Sequence, residues 1–201
     1  MLFRSTEAVR EELPSARIVA DRFHVAKHYR QAADQVRKQE LQRLKKELPK
    51  EEYQKLNGSF RAFRKNAEDL NKEERKTWRR FFAHSASAKQ AYALREQLTA
   101  IFDRNLSKQQ AQSKILQWVQ QVQKSGLHCF DDFLKLLKIW WEEITNYFIQ
   151  RENSGFVEGF NNKVKILKRR CYGIFNLQHL FQRIYLDLHG YRLFAANTIC
   201  G

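Results

Sequence analysis

Two carboxylates stand out from the other acids of this chain by their surroundings. Asp21 closes the apolar run "ARIVAD", and Glu158 lies between Gly155 and Gly159 in "NSGFVEGFNNKVKILKRR". From Asn161 onward that second stretch carries only basic charges, Lys163, Lys165, Lys168, Arg169 and Arg170. An acid at the carboxyl end of a buried strand sits where ligands bind in open α/β sheets. Aspartate is also a common helix cap, and the local pattern leaves both roles open for Asp21. At about 100° per residue on a helix, Val157, Phe160, Val164, Leu167 and Cys171 form one apolar stripe. Glu158, Asn161 or Asn162, Lys165 and Arg169 form a polar stripe beside it. Glycine inside a helix costs about 0.8–1 kcal/mol relative to alanine. At Gly155 and Gly159 it offers room for close approach of a backbone or a ligand. The plainer alternative is a surface pair between Glu158 and Asn162 beside a tolerated glycine.

Taken together, the two acids point to chemistry that neither implies alone. A carboxylate at a strand end and a glutamate on a distant helix can hold divalent metals between them, as in two-metal phosphoryl transfer. Magnesium suits such a site because it takes oxygen ligands and leaves positions for substrate phosphates. The neighbouring lysines and arginines would hold a DNA backbone. His24 and His28 have the i, i+4 spacing of a zinc pair, but "HVAKH" lacks the glutamate that follows the first histidine of the zincin pattern. Packing or a hydrogen bond near Asp21 is the expectation for His24, and a solvated face for His28.

These residues need elements to position them, and the chain reads as mainly helical. Two prolines and seven glycines in 201 residues argue for long helices with few turns. Residues 16–20 give the one strand signal, read as a short buried strand of a parallel sheet. Helices are expected at about 5–13, closed by Pro14, and over 23–48, 72–82, 86–103, 107–124, 129–149 and 154–170. A last helix is expected over 177–188, with Asn176 as N-cap and Gly190 as stop. "PKEEYQKLNGSF" reads as a break. The aromatic stripes of the middle helices read as the core of a helical bundle.

Composition narrows the partners. A net charge of +15 must be solvated, as on a merely basic soluble protein, or matched by a polyanion, for which nucleic acid leads because neutralised phosphates release counterions. The apolar runs are broken by lysines and no signal peptide is present, so no membrane role and a cytoplasmic location are expected. Cys129, Cys171 and Cys200 form no CxxC pair, which argues for free thiols over a zinc site or a disulfide framework.

"SARIVADRFHVAKHY" and "NSGFVEGFNNKVKILKRRCYGIFNLQHLFQRI" resemble the second and third acidic motifs of DDE transposases of bacterial insertion sequences, ISL group. The resemblance implies an RNase H-like α/β core interrupted by a large all-helical insertion. The expected fold is therefore mainly α with a residual α/β part, the core incomplete in its first strands. Residues 1–30 would be part of that core, 31–150 the insertion, and 151–201 the C-terminal core helices. By motif match Asp21 and Glu158 are catalytic, metal-binding acids, with magnesium or manganese as cofactor. DNA is the partner, as element ends and target, with homo-oligomerisation or mixed association with full-length transposase.

The family's first acid lies on an earlier strand, and Glu7, Glu11 and Glu12 here fall in an expected helix. The sequence therefore reads as a C-terminal catalytic-domain fragment, inactive in strand transfer alone. The alternatives are a non-catalytic basic DNA-binding or regulatory module, and a pseudogene product that does not fold stably.

Overall fold

The computed structural model describes the backbone of residues 10–151, 155–170 and 176–195, and within these the side chains of all but 155–158, 160, 161 and 190–195. It divides into two compact units, Met1–Glu152 and Asn153–Gly201. Among the described residues the structure is helical, with no strand.

In the first unit, α1 (Arg22–Glu47) is the longest helix. Its most extensive contact is with α5 (Ala86–Asp103). Small side chains permit that contact: Ala32 and Ala33 on one helix, Ala88 and Ala91 on the other, are all buried. Tyr29 and Thr99 share a buried hydrogen bond of 3.0 Å across the same helix pair. The short helices α2 (Lys50–Gln54) and α3 (Ser59–Arg64) turn the chain at Gly58, whose φ of 88° is readily reached only by glycine. α4 (Lys72–His84) then adds Trp78, Phe81 and Phe82 to a ring cluster with Phe63 and Tyr92. α6 (Lys108–Ser125) lies on α5 and is anchored by Trp118, whose indole donates to the Leu94 carbonyl at 2.7 Å. Asn71 with Glu74, and Ser107 with Gln110, form capping boxes that satisfy the first amides of α4 and α6.

Three expectations need correction. The single helix expected over 129–149 is a 3-10 turn at His128–Phe130 followed by α7 (Asp131–Ile139) and α8 (Trp141–Gln150). Trp140 breaks the run, with φ −109° and ψ 29°. The break lets Phe133 and Leu137 on one side, and Ile144, Tyr147 and Phe148 on the other, each reach the core. The last helix does not stop at Gly190: α10 spans Leu177–Ala195. Glycine costs a helix about 1 kcal/mol but does not forbid its geometry.

Residues 16–20 form no strand. A lone strand cannot satisfy its own backbone groups, and here α8 takes the part of a ladder partner. The Asn146 side-chain amide donates to the Ile18 carbonyl at 2.9 Å, and the Ala20 amide donates to the Glu143 carbonyl at 2.8 Å. Of the helix expected near the N-terminus, Arg10–Glu12 are helical and a turn follows at Pro14 and Ser15; residues 1–9 lie outside the described ones.

The second unit holds α9 (Gly155–Arg170) and α10, which contact each other. Leu167, Leu180 and Ile184 are buried in their seam, with Val164 against them. Asn176 caps α10 as expected, its side-chain oxygen accepting from the amides of Gln178 at 2.9 Å and His179 at 3.3 Å.

Candidate functional site

Asp21 sits at the junction of the irregular segment 16–20 and α1. The two hydrogen bonds to α8 fix the chain just ahead of it. Its Oδ1 accepts from the Phe23 amide at 2.7 Å, so it is the N-cap of α1. Its Oδ2 lies 3.3 Å from Nδ1 of His24, and the carboxylate is only 9% exposed. The helix start therefore orients this carboxylate. The next residue, Arg22, is paired with Asp103. Burial acts to lower the Arg22 pKa, but Tyr147 and Asp103 raise it above its ordinary value.

His24 lies where the sequence placed it, beside Asp21, and His28 is exposed on α1. Desolvation, Lys27 and His24 push the His28 pKa down. No group of three or more His, Cys, Asp or Glu placed to hold a metal occurs among the described residues. Cys129 is half-buried and free, and burial raises its thiol pKa to about 11; Cys171 and Cys200 lie outside the described residues.

Glu158 falls in the first turns of α9, and its side chain lies outside the described ones. Gly155 begins the same helix. A Cβ built at Gly159 would meet no atom within 4 Å, so that face of the helix is open. The basic residues divide into two kinds. Lys163 is committed within the unit, its Nζ 2.8 Å from the Asp187 carboxylate. That hydrogen bond and the nearby cations hold the Asp187 pKa below the usual carboxylate range. Lys165, Lys168, Arg169 and Arg170 are exposed and make no ion pair among the described residues. The sequence reading missed Asp187 as the Lys163 partner. Asp187 is the one acid between Leu177 and Ala195, but spacing does not tell which cation of α9 it meets.

The two candidate acids thus belong to different units: Asp21 to the helical unit and Glu158 to the hairpin. As donors they suit a hard divalent cation in kind, because both offer carboxylate oxygens.

A transposase family model, of the ISL3-type DDE group, matches residues 3–184. The chain belongs to that transposase family. Both acids and the basic stretch of α9 lie inside the matched span. Among curated proteins, the transposase for insertion sequence element IS1001 of Bordetella parapertussis is 28% identical over 174 residues. That alignment covers 85% of this transposase-family chain and 42% of the relative. The chain therefore spans less than half the length of the curated relative it matches. No solved structure matches it. Among the described residues, no helix is long and apolar enough to cross a membrane.

Proposed function

We propose that this chain carries two of the metal-binding acids of a DNA strand-transfer enzyme, Asp21 and Glu158. The observation that carries the reading is the family match, which spans both acidic motifs and the basic helix between Gly155 and Arg170. In this reading residues 1–30 and 151–201 belong to an RNase H-like core, and 31–150 form its helical insertion. The reaction class is attack of a hydroxyl oxygen on a DNA phosphodiester, with the leaving oxygen departing from the same phosphorus. Magnesium or manganese, when bound, supplies charge stabilisation at the attacking and leaving oxygens.

The chain's own residues do the positioning. The Phe23 amide and His24 hold the Asp21 carboxylate in place as an oxygen donor. Lys165, Lys168, Arg169 and Arg170, exposed and unpaired with any acid among the described residues, hold the sugar–phosphate backbone. The open face at Gly159 admits DNA close to the Glu158 helix. Lys163 reaches a phosphate only by giving up Asp187. Self-association, or association with a longer transposase, completes the working assembly.

Two assigned acids are an incomplete set for two-metal chemistry, so the isolated chain is expected to bind metal weakly and to join no DNA. Manganese binding read by electron paramagnetic resonance tests the assignment. It falls in Asp21→Asn and in Glu158→Gln if both acids are ligands, and equal binding by wild type and both variants rejects them. Joining by the wild-type chain that Glu158→Gln abolishes would overturn the expected inactivity. A second reading, a non-catalytic DNA-binding module, is favoured by the uncommitted cations of α9. It predicts salt-dependent duplex binding that survives both substitutions.

A further inference from the structure

A cleft of about 300 Å³ opens in the helical unit where α1, α3 and α5 meet. Its lining includes Lys27, Arg30 and Asp34 of α1, Arg64 of α3 and Arg95 of α5. Lys27, Arg30 and Asp34 follow an i, i+3, i+7 spacing, so one helix face presents all three. Arg95 is 1% exposed. Its terminal nitrogens donate to the carbonyls of Phe63 and Lys65 and to the Glu96 carboxylate, but its Nε has no acceptor among the described residues. A buried charged donor without an acceptor is costly, and native structures supply one in most cases.

The acid lining the cleft cannot meet that need. Asp34 is taken by Arg37 at 2.6 Å, with Lys38 and Arg64 each 3.7 Å away. Burial works to raise the Asp34 pKa, yet the hydrogen bond from Arg37 and the surrounding cations bring it below the ordinary value. The cleft is thus lined by four cations, Lys27, Arg30, Arg64 and Arg95, and one carboxylate, Asp34. Lys27 and Arg30 are exposed, and neither makes an ion pair among the described residues.

We propose that this cleft binds a phosphate-type oxyanion, held between Lys27 and Arg30 on one side and Arg64 and Arg95 on the other. Guanidinium groups favour such a ligand because a tetrahedral oxyanion accepts several charge-assisted bonds at once. The site does not depend on the metal chemistry proposed for Asp21 and Glu158. Its ligand has two possible sources, a phosphodiester of bound DNA and a free phosphate.

The test uses the 201-residue chain and two double variants. Lys27→Gln with Arg30→Gln removes the exposed cations of the cleft. Lys45→Gln with Lys46→Gln removes the same charge from the far end of α1. Titration with inorganic phosphate, read by phosphorus NMR line broadening, should show saturable binding that weakens at least about tenfold in the first variant only. The salt dependence of duplex DNA binding identifies the source. If DNA supplies the phosphate, the log–log slope falls by about 1.8 in the first variant, and inorganic phosphate competes. If the ligand is free phosphate, the slope changes equally in both variants while phosphate binding is still lost in the first alone. Absence of saturable phosphate binding, or equal weakening in both variants, overturns the site.

Discussion

The two units differ in how much of their apolar surface they bury. The helical unit encloses Trp118, Tyr29, Phe63, Phe81, Phe130 and Ile144 almost completely, and buries capped helices against one another on several sides. Among its described residues the hairpin buries Leu167, Leu180 and Ile184, and leaves Leu177, Phe181, Tyr185, Leu186 and Leu188 exposed on α10. The two described helices of the hairpin share one seam, and most of a helix's stability in a protein comes from packing of its apolar face. Among the described residues the helical unit therefore has a core of its own, whereas the hairpin has a seam. The proposed chemistry divides along the same line, with Asp21 on the unit that has the core and Glu158 on the one that has the seam.

The largest effect expected from this contrast is at Trp118. Trp118→Ala removes a fully buried ring and its bond to the Leu94 carbonyl, and should cost about 3–5 kcal/mol. All four tryptophans, Trp78, Trp118, Trp140 and Trp141, lie in the helical unit, so the fluorescence of the remaining three reports that unit during urea unfolding. Leu167→Ala should leave the tryptophan midpoint in place and instead speed amide exchange in α9 and α10. A similar midpoint shift from both substitutions would break the distinction between the units.

What was legible in the sequence follows the same division. The bundle helices were readable because their apolar residues recur at helical spacing, and α5 runs over 86–103, the span expected. The break at Trp140 was not, because nothing in "LKIWWEEI" marks it; it is fixed by which faces of α7 and α8 meet the core. The strand misread at 16–20 has a related cause. A short apolar run ending in an acid looks alike whether a neighbouring strand or a helix side chain satisfies its carbonyls, and here Asn146 does so. At the candidate site, the cap role of Asp21 and its closeness to His24 could be read from spacing. The commitment of Lys163 to Asp187 could not, since it depends on how α10 folds back on α9.

Two ion pairs sharpen the contrast at an intermediate scale. Asp34–Arg37 is nearly enclosed in the helical unit, with side chains 9% and 6% exposed, whereas Lys163–Asp187 lies on the surface of the hairpin. Asp34→Asn leaves the buried Arg37 guanidinium without its counter-charge and should cost about 3 kcal/mol, the low end for a broken buried pair because the amide oxygen still accepts. The Asp34 pKa is depressed in the folded state. Its contribution is therefore complete above the unfolded value, about 3.9, and is lost as pH falls through the lower folded value. Wild type should lose stability across that acidic window more steeply than Asp34→Asn, as read by urea midpoints from pH 5 down to pH 2.5. Asp187 has the same direction of shift, but exposure and salt weaken its pair. Asp187→Asn should give a smaller loss, read as faster amide exchange in α9 and α10, that disappears in 1 M salt.

The smallest effect is at Asp21, where it separates architecture from chemistry. Asp21→Ala removes the acceptor for the Phe23 amide and should destabilise the helical unit by about 1 kcal/mol. Asparagine caps helices about as well as aspartate, so Asp21→Asn should keep the wild-type urea midpoint while removing the charge a divalent cation needs. Equal loss of stability in both variants would mean that the charge itself, facing His24 at 3.3 Å, supports the fold. Retained stability with reduced manganese binding in Asp21→Asn would show that one carboxylate does both jobs. Its Oδ1 would then start the helix, and its charge would serve a ligand.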